Sequence, residues 1–343
     1  MSNSLIPNDT NAFDEVISII ENARENAFRA VNRELINMYW DIGEFVSRRV
    51  SDSGWGQSVV KEFSKFIQNR YAGIKGFSPQ NIWRMKQFYE MYQDNEKLSA
   101  LLREISWTSN LQIMSGKSDE EREFYLTLAI KNRYTSRELK RQMDSALYER
   151  TMLSDITNKL ITERSESLTV LRDSYVLEFL DLPENHKEKD LRKAIVSNLK
   201  NFILEFGKDF AFIDDEYRVQ VGNRDFFIDL LFSNRELHCL VAIELKIGEF
   251  EPEHLGKMEF YLEALDRDVK KKDENPSVGL ILCTKKDETV VEYALSRSMS
   301  PALIADYKLH LPDKHILERK LRELAEFAEN NHAEEDEQAK ENE

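Results

Sequence analysis

The sequence predicts an α+β chain: an all-α N-terminal domain followed by a mixed α/β domain. Apolar residues recur at three- and four-residue spacing through the first 150 residues, which also hold all four tryptophans. Short runs of β-formers dominate from Phe210 onward. Between two of these runs, Leu240–Ile247 and Val278–Cys283, lies a helical pattern, and strand, helix, strand implies a parallel crossover. With 343 residues, 41% hydrophobic and 10% aromatic, the chain can fill two cores.

In chain order, Val16, Ile20, Ala23, Ala27, Val31, Leu35 and Met38 line one face of a long amphipathic helix running toward Trp40 and Gly43. A helix that long needs partner helices, which is compatible with a homo-oligomer formed through the N-terminal helices. Ser58–Arg70 predicts a second helix and residues 72–77 a turn, and Ser78-Pro79 supplies a cap and a first-turn proline for a third. Two readings stay open there. In a helix–turn–helix, Asn81, Arg84, Lys86 and Gln87 would meet base edges or phosphates. In an ordinary helical hairpin, Ile82, Met85, Phe88 and Tyr89 would pack inward. Thr135 and Glu138 have capping-box spacing, and Arg133, Arg137, Lys140 and Arg141 cluster around them, as phosphate contacts or as a solvated face. The tryptophans read as indoles buried between helices.

The expected divisions are a helical domain at 1–150, a connector helix at 151–172, the α/β domain at 173–330 and an acidic disordered tail at 331–343. In the α/β part, Leu191, Ile195, Leu199, Phe202, Ile203 and Phe206 predict one amphipathic helix closed by Gly207. Strands are expected at Phe210–Ile213, Tyr217–Val221, Phe226–Phe232, Leu237–Ile247, Val278–Cys283 and Ala302–Ala305. Helices are expected at Glu253–Leu265, Asp287–Leu295 and Leu317–Phe327.

The chemistry concentrates on one hairpin. Asp229 ends Phe226-Phe227-Ile228-Asp229, and Glu244-Leu245-Lys246 ends an apolar run fifteen residues later. Residues two apart on a strand share a face, so Glu244 and Lys246 point with Ala242, while Val241, Ile243 and Leu245 point into a core. A turn at Ser233-Asn234-Arg235-Glu236 would set Asp229 beside Glu244. Two other Glu-x-Lys triplets, at Glu138 and Glu318, lie in helical patterns where residues two apart diverge. Paired carboxylates without thiol or imidazole favour a hard dication with oxygen ligands, Mg²⁺ or Mn²⁺. An edge-strand salt bridge is the competing reading, set against the repulsion of two adjacent carboxylates on an apolar hairpin. Lys257 and Tyr261, four apart on the next helix, could approach the same place or the scissile phosphate.

These residues resemble the PD-(D/E)xK nuclease core, and more specifically the YhcG family, which joins such a domain to a helical N-terminal domain. The resemblance covers roughly residues 13–310 and includes Asn32-Arg33-Glu34-Leu35, Tyr39-Trp40-Asp41-Ile42-Gly43, Gly54-Trp55-Gly56, Gly76-Phe77-Ser78 and Ser106-Trp107-Thr108. It implies a restriction-endonuclease-like fold and a metal-dependent nuclease acting on DNA. Asp229, Glu244 and Lys246 would be catalytic, and Asp229, Glu244 and the Leu245 carbonyl would hold the metal. Nucleic acid would meet Arg84, Lys86, Arg137, Lys140, Arg141 and Lys257. One departure stands out: where the family carries a glutamate on the first core helix this chain has Arg192, with Asp190 or Glu188 as substitutes. A non-catalytic nucleic-acid-binding or assembly protein is the alternative.

Charge sharpens that alternative. The chain carries −15, yet residues 1–150 hold 21 basic and 21 acidic residues and are neutral. All the excess falls in the second half, an arrangement ill suited to gripping a polyanion there. Cys239 and Cys283 lie in apolar runs and read as reduced core residues. Neither zinc spacing nor a Walker loop is present, and no leader or membrane-spanning run is seen, so the expected location is the cytoplasm.

Overall fold

The computed structural model describes residues 10–153, 171–296, 298 and 301–323. Most of the expected connector helix, the end of the expected Leu317–Phe327 helix and the whole acidic tail lie outside the described residues; 314–323 is helical. The chain divides into two compact units between Lys140 and Arg141.

The first unit is built on α1 (Thr10–Ser53), with α2 (Gln57–Arg70), α3 (Pro79–Tyr92), α4 (Glu96–Leu101), α5 (Trp107–Ile113) and α6 (Asp119–Lys131) after it; α7 (Ser136–Asp144) runs across the division. Polar side chains start these helices where the sequence supplies them. Ser78, Asn95, Ser106 and Ser118 each accept a hydrogen bond from the backbone N–H three residues on, satisfying a donor that the first turn leaves open. Ile82, Met85 and Phe88 of α3 are buried. The Trp107 ring lies 4.8 Å from Tyr39 and 5.1 Å from Phe88, so this indole is core. At Gly43 α1 meets α3 closely: a Cβ there would run into the Met85 carbonyl.

The second unit carries a six-stranded sheet in the order β1-β6-β5-β4-β3-β2. Its strands are β1 (Ser174–Val176), β2 (Phe210–Val221), β3 (Arg224–Asn234), β4 (Cys239–Leu245), β5 (Val278–Cys283) and β6 (Ala302–Lys308). The pairs β1–β6, β6–β5 and β5–β4 are parallel; β4–β3 and β3–β2 are antiparallel. On one face lie α8 (Glu188–Ser197) and α9 (Leu199–Phe206), packing Leu191, Ile195, Phe202 and Phe206 against Leu230, Val241, Ile243 and Leu280. On the other lie α10 (Pro252–Asp268) and α11 (Glu288–Leu295), packing Met258, Leu262 and Val291 against Leu231, Ala242 and Ile281. Every residue of β4 and β5 is buried, as strands covered on both faces require.

Several expectations change. The Glu244 face of β4 is as buried as the Val241 face, because α10 covers it. The hairpin turn lies past Asn234, because Asn234 itself pairs with Cys239. The two strands expected at Phe210–Ile213 and Tyr217–Val221 are one strand, with an irregularity between Phe212 and Asp214 that absorbs the interruption. The single helix through Phe206 is two, parted at Asn198. The short strand β1, Ser174–Val176, is not among the expected strands.

Candidate active site

The end of β4 carries the cluster. Leu230 pairs with Ile243, which makes Asp229 and Glu244 the next opposed positions outward on the same face. Glu244 is wholly buried. Its Oε1 accepts hydrogen bonds from two ammonium groups, Lys246 at 2.9 Å and Lys257 of α10, while its Oε2 is buried without a partner. Asp229 Oδ2 accepts from the Leu245 backbone N–H at 2.9 Å, and Arg192 of α8 donates to its Oδ1 at 3.3 Å. The sheet end thus lies between α8 on one face and α10 on the other.

A second layer of charge surrounds these groups. The Lys246 ammonium lies 3.4 Å from both oxygens of Glu188, at the start of α8. Arg192 also reaches Glu216 at 2.8 Å and Asp215 at 3.9 Å, both on β2. Asp190, the other candidate to replace the absent helix glutamate, is engaged in capping: its carboxylate accepts from the Lys187 N–H at 3.1 Å. Tyr261 donates to the Phe227 carbonyl at 2.5 Å, and the Lys257 ammonium lies 5.3 Å from the Tyr261 ring centre.

The titration of the cluster follows its burial. Burial, then the neighbouring Glu244 charge, pushes the Asp229 carboxyl above the usual carboxylate range, against the Leu245 N–H and the two lysines. For Lys246 and Lys257 burial opposes the charge, but the hydrogen bond and charge of Glu244 outweigh it and hold both above the usual lysine range. Ionised Asp229 is therefore the costly member of the set, and a bound cation is what would relieve it.

Among the described residues no three His, Cys, Asp or Glu side chains are arranged to hold a metal. A hard cation here would rest on two carboxylates and a carbonyl. That set suits Mg²⁺, which keeps several waters and takes substrate phosphate oxygens rather than a full protein cage. The unpartnered Glu244 Oε2 is the atom of this chain best placed for it.

Residues 168–322 match the YhcG PDDEXK nuclease domain, and residues 15–150 match the DUF1016 N-terminal domain. The chain is 30% identical to the YhcG protein of Escherichia coli (strain K12), across 89% of this chain and 91% of that one. The chain belongs to the YhcG family. Among solved structures, this YhcG-family protein aligns with a repair endonuclease from Pyrococcus abyssi (17% identity, 38% of this chain and 50% of that one, TM-score 0.25). It also aligns with apo EndoMS (14% identity, 38% and 49%, TM-score 0.25).

Lys257 joins Asp229, Glu244 and Lys246 in the cluster, and the other expected contacts divide. Arg84 and Lys86 lie on α3; Arg84 is exposed, whereas Lys86 is paired with Glu90 at 2.6 Å. Asn81 is not available for bases, since its amide donates to Gly76 and its oxygen accepts from Trp107. Arg137 and Lys140 are exposed on α7. Arg141 is not: it is mostly buried and donates to Glu178, Glu205 and the Val176 carbonyl, which makes it an internal brace rather than a phosphate contact. Asp215 and Glu216 are not among the residues expected at the site; their signal in the sequence is an acidic run, Asp214-Asp215-Glu216, inside a strand-forming stretch.

Proposed function

We propose that the second unit hydrolyses phosphodiester bonds of nucleic acid, DNA foremost, at Asp229, Glu244 and Lys246 with Mg²⁺ or Mn²⁺. The observation that carries this reading is Glu244, a fully buried carboxylate with two ammonium groups on one oxygen and nothing on the other. A purely structural ion pair is expected to satisfy both oxygens. The charges point the same way. Carboxylates of Asp229, Glu244, Glu188, Asp215 and Glu216 meet cations of Lys246, Lys257 and Arg192, leaving a deficit equal to one dication.

Asp229, Glu244 and the Leu245 carbonyl would hold the ion. When bound, it supplies Lewis-acid stabilisation and lowers the pKa of a water molecule. The chain's own groups do the rest. Lys246, fixed between Glu188 and Glu244, orients the attacking water, and Lys257 sets a second positive charge beside the phosphate as its negative charge grows. Arg192 neutralises Asp229 and also holds Glu216, so it would keep a partner if Asp229 were given over to a cation.

The first unit is the proposed nucleic-acid or partner module, with Arg84, Arg137 and Lys140 exposed for phosphate contact. Among the described residues no helix is long and apolar enough to cross a membrane, and the proposed location is the cytoplasm. A binding protein that keeps the fold without turnover is favoured by one observation, the Arg192 guanidinium already on Asp229. Purified protein offered single- and double-stranded DNA and RNA with Mg²⁺ or Mn²⁺ separates the two readings. Cleavage that falls about 100-fold or more in Asp229→Asn and Glu244→Gln supports the nuclease. Binding without cleavage by any of the three proteins selects the alternative.

A further inference from the structure

The first half of α1 presents an apolar face that its own unit leaves in water. Phe13, Val16, Ile17, Ile19, Ile20 and Val31 are 47–69% exposed, whereas further along the same helix Ile36 and Tyr39 are at 1% and 5%. Residues 13–31 extend about 27 Å at the helical rise. A contiguous apolar stripe of that length marks an interaction surface.

The spacing of the stripe says what covers it. Phe13, Val16, Ile20, Ala23, Ala27 and Ala30 are separated alternately by three and four residues, a mean of about 3.5, which is the seam of a two-helix coil rather than a face turned toward a globular core. All six positions are exposed. The sizes are just as ordered, with the three large residues first and the three alanines after them. Two copies in parallel would stack large on large at one end and alanine on alanine at the other, wedging the helices apart.

Antiparallel copies solve this. With the two-fold axis between Glu21 and Asn22, Phe13 faces Ala30 of the second copy, Val16 faces Ala27, and Ile20 faces Ala23. Each layer then pairs one large and one small residue, so the helices keep an even spacing without voids. Withdrawing about half of Phe13, Val16 and Ile20 from water on both copies removes on the order of 500 Å², and covering the flanking Ile17, Ile19 and Val31 as well brings the total toward the ~1,000 Å² that a specific interface needs.

We infer that this chain forms a homodimer through antiparallel pairing of residues 13–31 of α1 with the same segment of a second copy. Sedimentation of the full chain at micromolar concentration is expected to give twice the monomer mass, and Ile20→Asp to give a monomer that keeps its helicity and whose melting, unlike that of the wild type, does not depend on protein concentration. The register is read by disulfide trapping, since the native cysteines Cys239 and Cys283 are buried. Val16→Cys and Ala27→Cys chains, mixed and oxidised, are expected to cross-link to each other and not to themselves. In the antiparallel register like positions stand about 16 Å apart, beyond the ~7 Å Cα separation a disulfide tolerates.

A disulfide in Val16→Cys alone means a parallel coil and overturns the inference. So does a dimer indifferent to Ile20→Asp. A monomeric wild type overturns it as well, and if Ile20→Asp then lowers its melting temperature, the face is covered by another part of the same chain.

Discussion

At the scale of single residues, the two carboxylates of the cluster should respond oppositely to neutralisation. Asp229 is ionised at a cost, so Asp229→Asn is expected to raise the melting temperature of the metal-free protein while abolishing cleavage. Glu244 is what allows two ammonium groups to sit there, so Glu244→Gln is expected to cost about 3 kcal/mol in a urea titration. That value is at the low end for a severed buried pair, because the Lys257 side chain is 45% exposed. Arg192→Ala removes the cation on Asp229 and is expected to tighten Mn²⁺ binding in a calorimetric titration; unchanged affinity would show that the guanidinium does not compete for the site. Asp229, Glu244 and Lys246 were legible in the sequence because strand alternation dictates which side chains share a face. The grip of Glu216 on Arg192 was not, since it depends on the register of β2 against β3, which pairs Asp215 with Leu230 and Tyr217 with Ile228 and so brings Glu216 level with Asp229.

At the scale of elements, α7 and α9 are tied together by Glu205, which has no exposed surface. It accepts from Arg141 at 3.0 Å, Arg150 at 3.0 Å and the Val176 N–H at 2.9 Å. Burial alone would raise its pKa, but Arg150, Arg172, Arg141 and that N–H together hold the carboxyl below its usual range. A carboxylate depressed in the folded state contributes its full stability above the unfolded pKa and loses it as pH falls through the folded value. Glu205→Gln is therefore expected to cost about 3–5 kcal/mol at neutral pH and to flatten the acid limb of a pH–stability curve below the ordinary carboxylate range. Arg141 shows how far sequence reasoning reaches. A basic helix face looks the same whether its arginine meets solvent or a buried glutamate sixty-four residues on, and only the tertiary fold decides. The strand β2 hid for a related reason: Asp214-Asp215-Glu216 reads as a break, yet a local irregularity and the left-handed Glu216 (φ 47°) carry the strand through it.

At the scale of the whole molecule, the neutral first 150 residues and the acidic remainder imply a division of labour. Binding to nucleic acid should weaken with salt, and Arg137→Glu with Lys140→Glu should lower both the affinity and the slope of that dependence in fluorescence titrations. A bound dication should stabilise the fold by mass action, about 2.7 kcal/mol at a hundred times its dissociation constant, in wild type and not in Glu244→Gln. The helical–then–α/β order and the position of the crossover were plain from periodicity. The order of strands across the sheet was not, because nothing local in Ser174-Tyr175-Val176 announces that its neighbour is β6. That pairing has a consequence for how the protein is made. The first strand of the sheet finds its hydrogen-bond partner only in the last, so a ribosome must deliver nearly the entire unit before the sheet can close. The carboxylate-bearing hairpin emerges early, yet the framework that steadies it is completed late, and a nascent chain ending before Ala302 should stay open and inert.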